Sequence, residues 1–257
     1  MSHDRVILAC EMIEDEVRLA LEALPPVDRP PIVWVESGLH DRPETLQAAL
    51  GRLIRSLDEG AEKGEPVAVP TVRPGRGPAS ERREEIVVGP VSEVILAIGF
   101  CGNALKDLGA DNLTLVFPRV DDCVSLLLND GCVREEIKRN PRCYYLTRGW
   151  FNHESSMMSS FDEWDQRFGR ERADKLRATM YAGYEAIQLI DTQAYPVEEC
   201  LDQSQAVADR LHLGHGVVGG SVQLLERLFK GERDSEIVVV PPKEKIGFNH
   251  LFGERVS

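Results

Sequence analysis

Three cysteines stand where deprotonated sulfur could do chemistry. Cys10 closes the apolar run Val6-Ile-Leu-Ala-Cys10, Cys101 closes the run from Val94 to Phe100, and Cys123 lies just beyond Phe117-Pro118. Thiolates are nucleophiles and soft metal ligands. Three of them hold zinc with a fourth position open, or three corners of an iron–sulfur cluster with one iron free for substrate. The spacings, 91 and then 22 residues, contain no C-x-x-C pair, so any joint site depends on topology. Helix N-termini favour a thiolate, and the sequence places Cys101 before a short helix over 102–108 and Cys123 in the first turn of another. The other reading is three buried cysteines, a residue type often found in cores. Cys132, Cys143 and Cys200 read as embedded in helix or strand.

Around Cys123 the string Phe117-Pro-Arg-Val-Asp-Asp-Cys123 concentrates one guanidinium and two carboxylates. Arg119 is a candidate clamp for an anionic substrate and Asp122 a candidate base or ligand-orienting group. Equally, Asp121 or Asp122 caps a helix and Arg119 is a salt-bridge partner. Asn103, Arg148 and Trp150 complete the candidate substrate contacts, Thr147-Arg-Gly-Trp150 ending a strand with a cation, a glycine and an aromatic. Gly99-Phe-Cys-Gly102 lacks the third glycine of a dinucleotide turn, and Lys106 does not make it a P-loop. His153, His212 and His215 form no H-E-x-x-H arrangement and read as surface or loop positions. There is no Gly-x-Ser-x-Gly elbow.

The elements that must position these residues read as strands alternating with helices. Val6–Cys10 and an amphipathic pattern from Ile13 to Leu24 make one βα unit. Pro31–Glu36 and a leucine-marked helix entered through Pro43 make a second. Further strands are expected at 93–100, 113–118, 143–147, 186–191 and 236–240. Helices are expected within 153–184 and over 196–211 and 221–229, the last two separated by a Gly-rich turn. Residues 59–90, rich in Gly, Pro, Arg and Glu, show no period and are expected to be a long mobile loop. Near-continuous Val/Ile/Leu strands indicate an α/β fold, a mostly parallel, Rossmann-like sheet with helices on both faces. The 257 residues suit one domain or two closely packed lobes.

Thirty Lys and Arg against 43 Asp and Glu give a net charge of −13, which disfavours nucleic acid and anionic membrane as partners. No segment approaches twenty apolar residues, and the apolar start is too short for a secretory signal. Six cysteines without such a signal point to reduced thiols in a cytoplasm.

Several strings together resemble a known family. Cys10 after its strand, Phe100-Cys-Gly-Asn103, Pro118-Arg-Val-Asp-Asp-Cys123 with Leu126-Leu-Leu128, Tyr144-Tyr-Leu-Thr-Arg-Gly-Trp150, Ile190-Asp-Thr192, and Leu224–Gly231 followed by Val238-Val-Val-Pro-Pro242 are similar to the family named domain of unknown function 1638. The likeness runs over nearly the whole chain. It implies that Cys10, Cys101, Arg119, Asp122, Cys123 and Trp150 occupy motif positions. It also implies a context of corrinoid-dependent methyl transfer and one-carbon metabolism, with a corrinoid protein or methyltransferase as a partner. The sequence departs from the family at Asp121, where the resemblance implies histidine. The expected function is a metal-dependent enzyme or methyl-transfer component with a zinc or iron–sulfur site and a small anionic substrate. The alternative is a non-catalytic accessory or binding module for such a partner.

Overall fold

The computed structural model describes residues 4–75, 79–152 and 157–252. His153 lies outside them. The first half of the chain supplies β1 (Arg5–Cys10), α1 (Glu14–Leu21), β2 (Ile32–Val35), α2 (Pro43–Lys63), β3 (Val67–Val72), α3 (Ala79–Arg82), β4 (Arg83–Val88), β5 (Glu93–Ala97) and β6 (Thr114–Pro118). The second half supplies α4 (Cys123–Leu128), β7 (Cys143–Leu146), α5 (Gly149–Asn152), α6 (Met157–Phe168), α7 (Arg170–Met180), β8 (Ala186–Asp191), α8 (Glu198–Leu211), β9 (Gly214–Gly219), α9 (Gln223–Lys230), β10 (Ile237–Val240) and α10 (Phe248–Phe252).

The larger sheet has the order β10-β6-β5-β1-β2. All its pairings are parallel except β10 against β6. Period-two alternation divides each strand between two cores. Val6 and Leu8 of β1 face Leu46, Leu50, Leu53, Ile54 and Leu57 of α2. Ile7 and Ala9 face Val17, Ala20 and Leu21 of α1 and Leu224, Leu228 and Phe229 of α9. Sandwiched between helices, β1 keeps no solvent face, which is why it reads as a continuous apolar run. Pro43 opens α2 at its first turn and Gly64, at φ 68°, ends it, as the pyrrolidine ring and a left-handed cap require.

A second, parallel sheet has the order β7-β8-β9. Leu146, Ile187 and Leu189 pack with Val207 and Ala208 of α8. Tyr145 and Ile190, on the opposite face, join the core beneath α1, α4 and α9. The two sheets therefore share apolar packing. The chain after β7 also packs closely against the chain just past Cys10: a Cβ on Gly149 would stand 1.8 Å from the Met12 carbonyl oxygen. Gly149→Ala is expected to cost about 1–3 kcal/mol through overpacking, read as a lower midpoint in urea denaturation.

Three expectations are corrected here. Residues 59–90 are not one loop: α2 continues to Lys63, and β3 and β4 form an antiparallel hairpin in full register from Val67↔Val88 to Val72↔Arg83. The hairpin lies beside β2, where the Trp34 amide donates to Thr71 Oγ1 at 2.7 Å. The Gly-rich turn before α9 is the strand β9, an edge strand paired with β8 along its whole length. Residues 102–108 form turns rather than a helix, with Cys101, Gly102 and Asn103 at φ 43°, 63° and 80°.

Among the described residues no helix is long and apolar enough to cross a membrane.

Candidate functional site

From β1 the chain crosses through α1 to β2 on one side, and from β5 it crosses to β6 on the other. The carboxyl ends of β1 and β5 therefore flank the point where strand order reverses, the general location of ligand sites in open α/β sheets. Cys10 is the last residue of β1 and Cys101 lies four residues beyond β5. The segment after β5 is tied to the segment after β6. Phe100 N donates to the Val120 carbonyl at 3.0 Å and Cys101 N to the Asp121 carbonyl at 2.7 Å. A Cβ on Gly99 would lie 2.5 Å from Asp122 Cα, so only glycine permits this approach. Cys123 then opens α4, capped by Asp122, which accepts from Ser125 N at 2.8 Å.

The three sequence-predicted cysteines are thereby brought together. All six cysteines are free thiols, and Cys10, Cys101 and Cys123 keep part of their surface accessible. Burial, and then the neighbouring Cys10 and Asp122, push the Cys101 thiol up to about 12, against hydrogen bonds from the backbone amides of Cys123 and Gly99. Burial, then Cys101, Asp122 and Cys10, hold Cys123 well above the ordinary thiol range. Burial pushes Cys10 up to about 12, opposed by the Met12 amide and reinforced by Glu11. The expected helix-end stabilisation of these thiolates is corrected accordingly. Cys101 precedes no helix, and at Cys123 desolvation and negative neighbours outweigh the helix terminus. Among the described residues no group of three or more His, Cys, Asp or Glu side chains is arranged so that it could hold a metal ion.

Cys101 and Cys123 line a cleft of about 280 Å³ between the two sheets, with Asp122, Arg139, Cys143 and Trp150 around them. Its far wall is aromatic. Tyr144 and Tyr184 meet edge to face, centroids 5.3 Å apart, and Trp150 lines the same wall. Among the described residues the guanidinium lining the cleft is that of Arg139, which donates to Asp122 Oδ2 at 2.6 Å and lies 5.9 Å from the Tyr145 ring centre.

The other predicted residues fall outside the cleft lining. Arg119 Nε donates to the Ser235 carbonyl at 2.6 Å, and its amide to the Glu236 carbonyl. Arg148 grips Asp15 with both arms and lies 5.5 Å over the Tyr195 ring. Asn103 is exposed in its left-handed turn. Asp121 pairs with Arg134 at 2.6 Å. His212 caps α8 at φ 55°, and His215 Nε2 lies 2.7 Å from Ser204 Oγ.

Arg139, Cys143, Tyr144 and Tyr184 were not among the predicted site residues. The first lies in an irregular segment whose spacing carries no signal; Tyr144 was visible in the Tyr144–Trp150 string, whereas Tyr184 lies far outside it. Asp122 serves as cap and ion-pair partner in one. Asp122→Ala is expected to cost about 0.5–2 kcal/mol, the range of a lost N-cap, measurable by thermal unfolding.

A family model described as protein of unknown function (DUF1638) matches residues 81–229. Cys101, Cys123, Arg139 and Trp150 fall inside that span. Cys10 and Val238–Pro242 fall outside it, so the matched span is shorter than the resemblance over nearly the whole chain. No curated protein and no solved structure matches the chain.

Proposed function

The chain belongs to the DUF1638 family, and we propose that Cys10, Cys101 and Cys123 are the ligands of a zinc or iron–sulfur centre in a metal-dependent enzyme or methyl-transfer component. The observation that carries this reading is the convergence of three thiols on one another at the point where strand order reverses, two of them lining the cleft. What supports a thiophilic ion is the type of the donors: three sulfurs and a nearby carboxylate suit zinc or iron far better than magnesium or calcium.

When bound, such a centre supplies Lewis-acid activation of a substrate thiol or oxygen, or coordination at a unique iron. The chain's own residues do the rest. Arg139 takes the role first expected of Arg119, presenting a guanidinium to an anionic group of a small substrate. Asp122 orients that guanidinium and fixes the start of α4, and with it Cys123. Trp150, Tyr144 and Tyr184 wall off water and offer flat faces to the ligand.

Cys143 favours a second reading. A fourth sulfur lining the same cleft would close the coordination sphere, leaving a structural centre in an accessory module for a corrinoid protein or methyltransferase. The two readings differ in thiol count. Zinc protects three cysteines from alkylation in the first and four in the second. The founding experiment is analysis for zinc, iron and acid-labile sulfide on protein purified without oxygen. One equivalent of centre per chain is expected, and metal-free protein from every such preparation overturns both readings.

A further inference from the structure

The second sheet is fastened to the first through two acidic residues of α1, the helix that begins four residues after Cys10. Asp15 accepts both arms of the Arg148 guanidinium, Nε at 2.8 Å. Glu16, 1% exposed, accepts from Thr192 Oγ1 at 3.0 Å. Arg148 follows β7 and lies two residues before Trp150 of the cleft wall, while Thr192 directly follows β8. One helical turn thus holds the ends of two strands of the second sheet while standing next to the Cys10 strand.

The surroundings of Glu16 suit a neutral carboxyl better than a charged one. Facing it or lying one residue further out are Asp15 from its own helix, Arg148 from the end of β7, Asp191 and Thr192 from the end of β8, Tyr195 beyond them, and Glu199 and Cys200 of α8. Arg148 is the cation of this group, and it is committed to Asp15, with Nη1 3.6 Å from Glu199. A buried carboxylate left with its own backbone amide, one hydroxyl donor and a shared cation is under-solvated. Burial accordingly outweighs the hydrogen bonds and raises the Glu16 carboxyl from 4.5 to about 7.

We infer that Glu16, with Asp15, Arg148 and Thr192, is a proton-operated latch between the two sheets, holding the Trp150 wall against the thiol end of the cleft when Glu16 is protonated and loosening it when Glu16 ionises. The inference rests on the cleft being the working site, but not on what the thiols bind. A carboxyl whose folded value is raised stabilises the closed junction fully below about 4.5, and that contribution is lost as pH rises through about 7.

The test is hydrogen exchange by mass spectrometry on the full chain, following peptides over 143–152 and 187–195 at pH 6 and pH 8, with rates corrected for intrinsic chemistry. With values of about 7 closed and 4.5 open, opening is expected to be about 10-fold more frequent at pH 8. Glu16→Gln, which keeps an acceptor for Thr192 but cannot ionise, is expected to open equally at both pH values. Should that variant fail to fold, Thr192→Val supplies the second arm: losing the donor to the carboxylate is expected to move the opening midpoint of the transition to higher pH. Equal opening of the native chain at the two pH values, a native response retained in Glu16→Gln, or an unmoved midpoint in Thr192→Val overturns the latch. Because exchange needs no metal, that failure leaves the thiolate centre standing, and a metal-free protein leaves the latch standing.

Discussion

Replacing Arg82 with alanine is expected to cost about 3–5 kcal/mol, the range for removing one partner of a buried ion pair. Glu11 follows Cys10 directly and its side chain is completely buried, while that of Arg82 is 6% exposed. Arg82 Nη1 donates to Glu11 Oε2 at 2.6 Å and to the Arg73 carbonyl at 2.6 Å. Ser37 N donates to Glu11 Oε1 at 2.8 Å. The pair therefore joins the β3–β4 hairpin and the chain after β2 to the residue next to the candidate site. Arg82→Ala takes the guanidinium away from a carboxylate that is completely buried. Against a typical domain stability of about 5–15 kcal/mol, such a loss removes a large share. Urea denaturation checks the value. The double change Glu11→Leu with Arg82→Met is expected to recover most of it, because an apolar pair avoids the desolvation that the ion pair must offset. Equal destabilisation in the single and double variants would refute this account of the pair.

That pair also marks the boundary of what was legible. The βα units of β1 with α1 and β2 with α2 showed themselves because their apolar residues follow periods of two and 3.6, which packing on both faces enforces. β9 did not, because Gly214-His-Gly-Val-Val-Gly219 spends half its positions on glycine and is held by pairing with β8 instead of by side-chain burial. The hairpin was hidden by Pro70 and by Arg83-Glu-Glu85, which look out to solvent and break the apolar pattern that Val69, Val72 and Val88 carry into the cores. Arg82 and Glu11 lie 71 residues apart, and nothing local joins them.

The candidate site divides the same way. That three cysteines end or follow strands of a parallel sheet was readable, and the rule placing sites at strand carboxyl ends turned that into proximity. Which arginine enters the cleft was not readable. Arg119 is adjacent to the motif in sequence but turned to Ser235, whereas Arg139 reaches Asp122 from a segment without regular structure. Nor was the left-handed backbone of Cys101 apparent. A non-glycine residue at φ 43° beside Gly102 and Asn103 is a local strain of the kind that persists where surrounding contacts over-determine it. The two amide bonds from Phe100 and Cys101 to the 120–121 segment supply those contacts.

Cys10→Ala, Cys101→Ala and Cys123→Ala are each expected to weaken metal affinity by more than ~100-fold, since loss of a direct ligand exceeds the 10–100-fold effects of outer-shell changes. Competition against a chelator under anaerobic conditions measures this. The pH dependence is steeper than for an ordinary thiol site. With Cys10 and Cys101 pushed up to about 12 and Cys123 also well above its usual range, all three sulfurs carry protons at neutral pH and surrender them on coordination. Affinity is therefore expected to rise with pH throughout the range from 6 to 8, with about three protons released per ion in the native chain and about two in each variant. Calorimetry in buffers of different ionisation enthalpy counts them. Cys200→Ala, a change inside the hydrophobic core of the second sheet, is expected to leave affinity and proton count unchanged, so that it separates loss of a ligand from loss of a buried side chain. Metal retained in any one of the three variants with the native proton count would remove that cysteine from the centre.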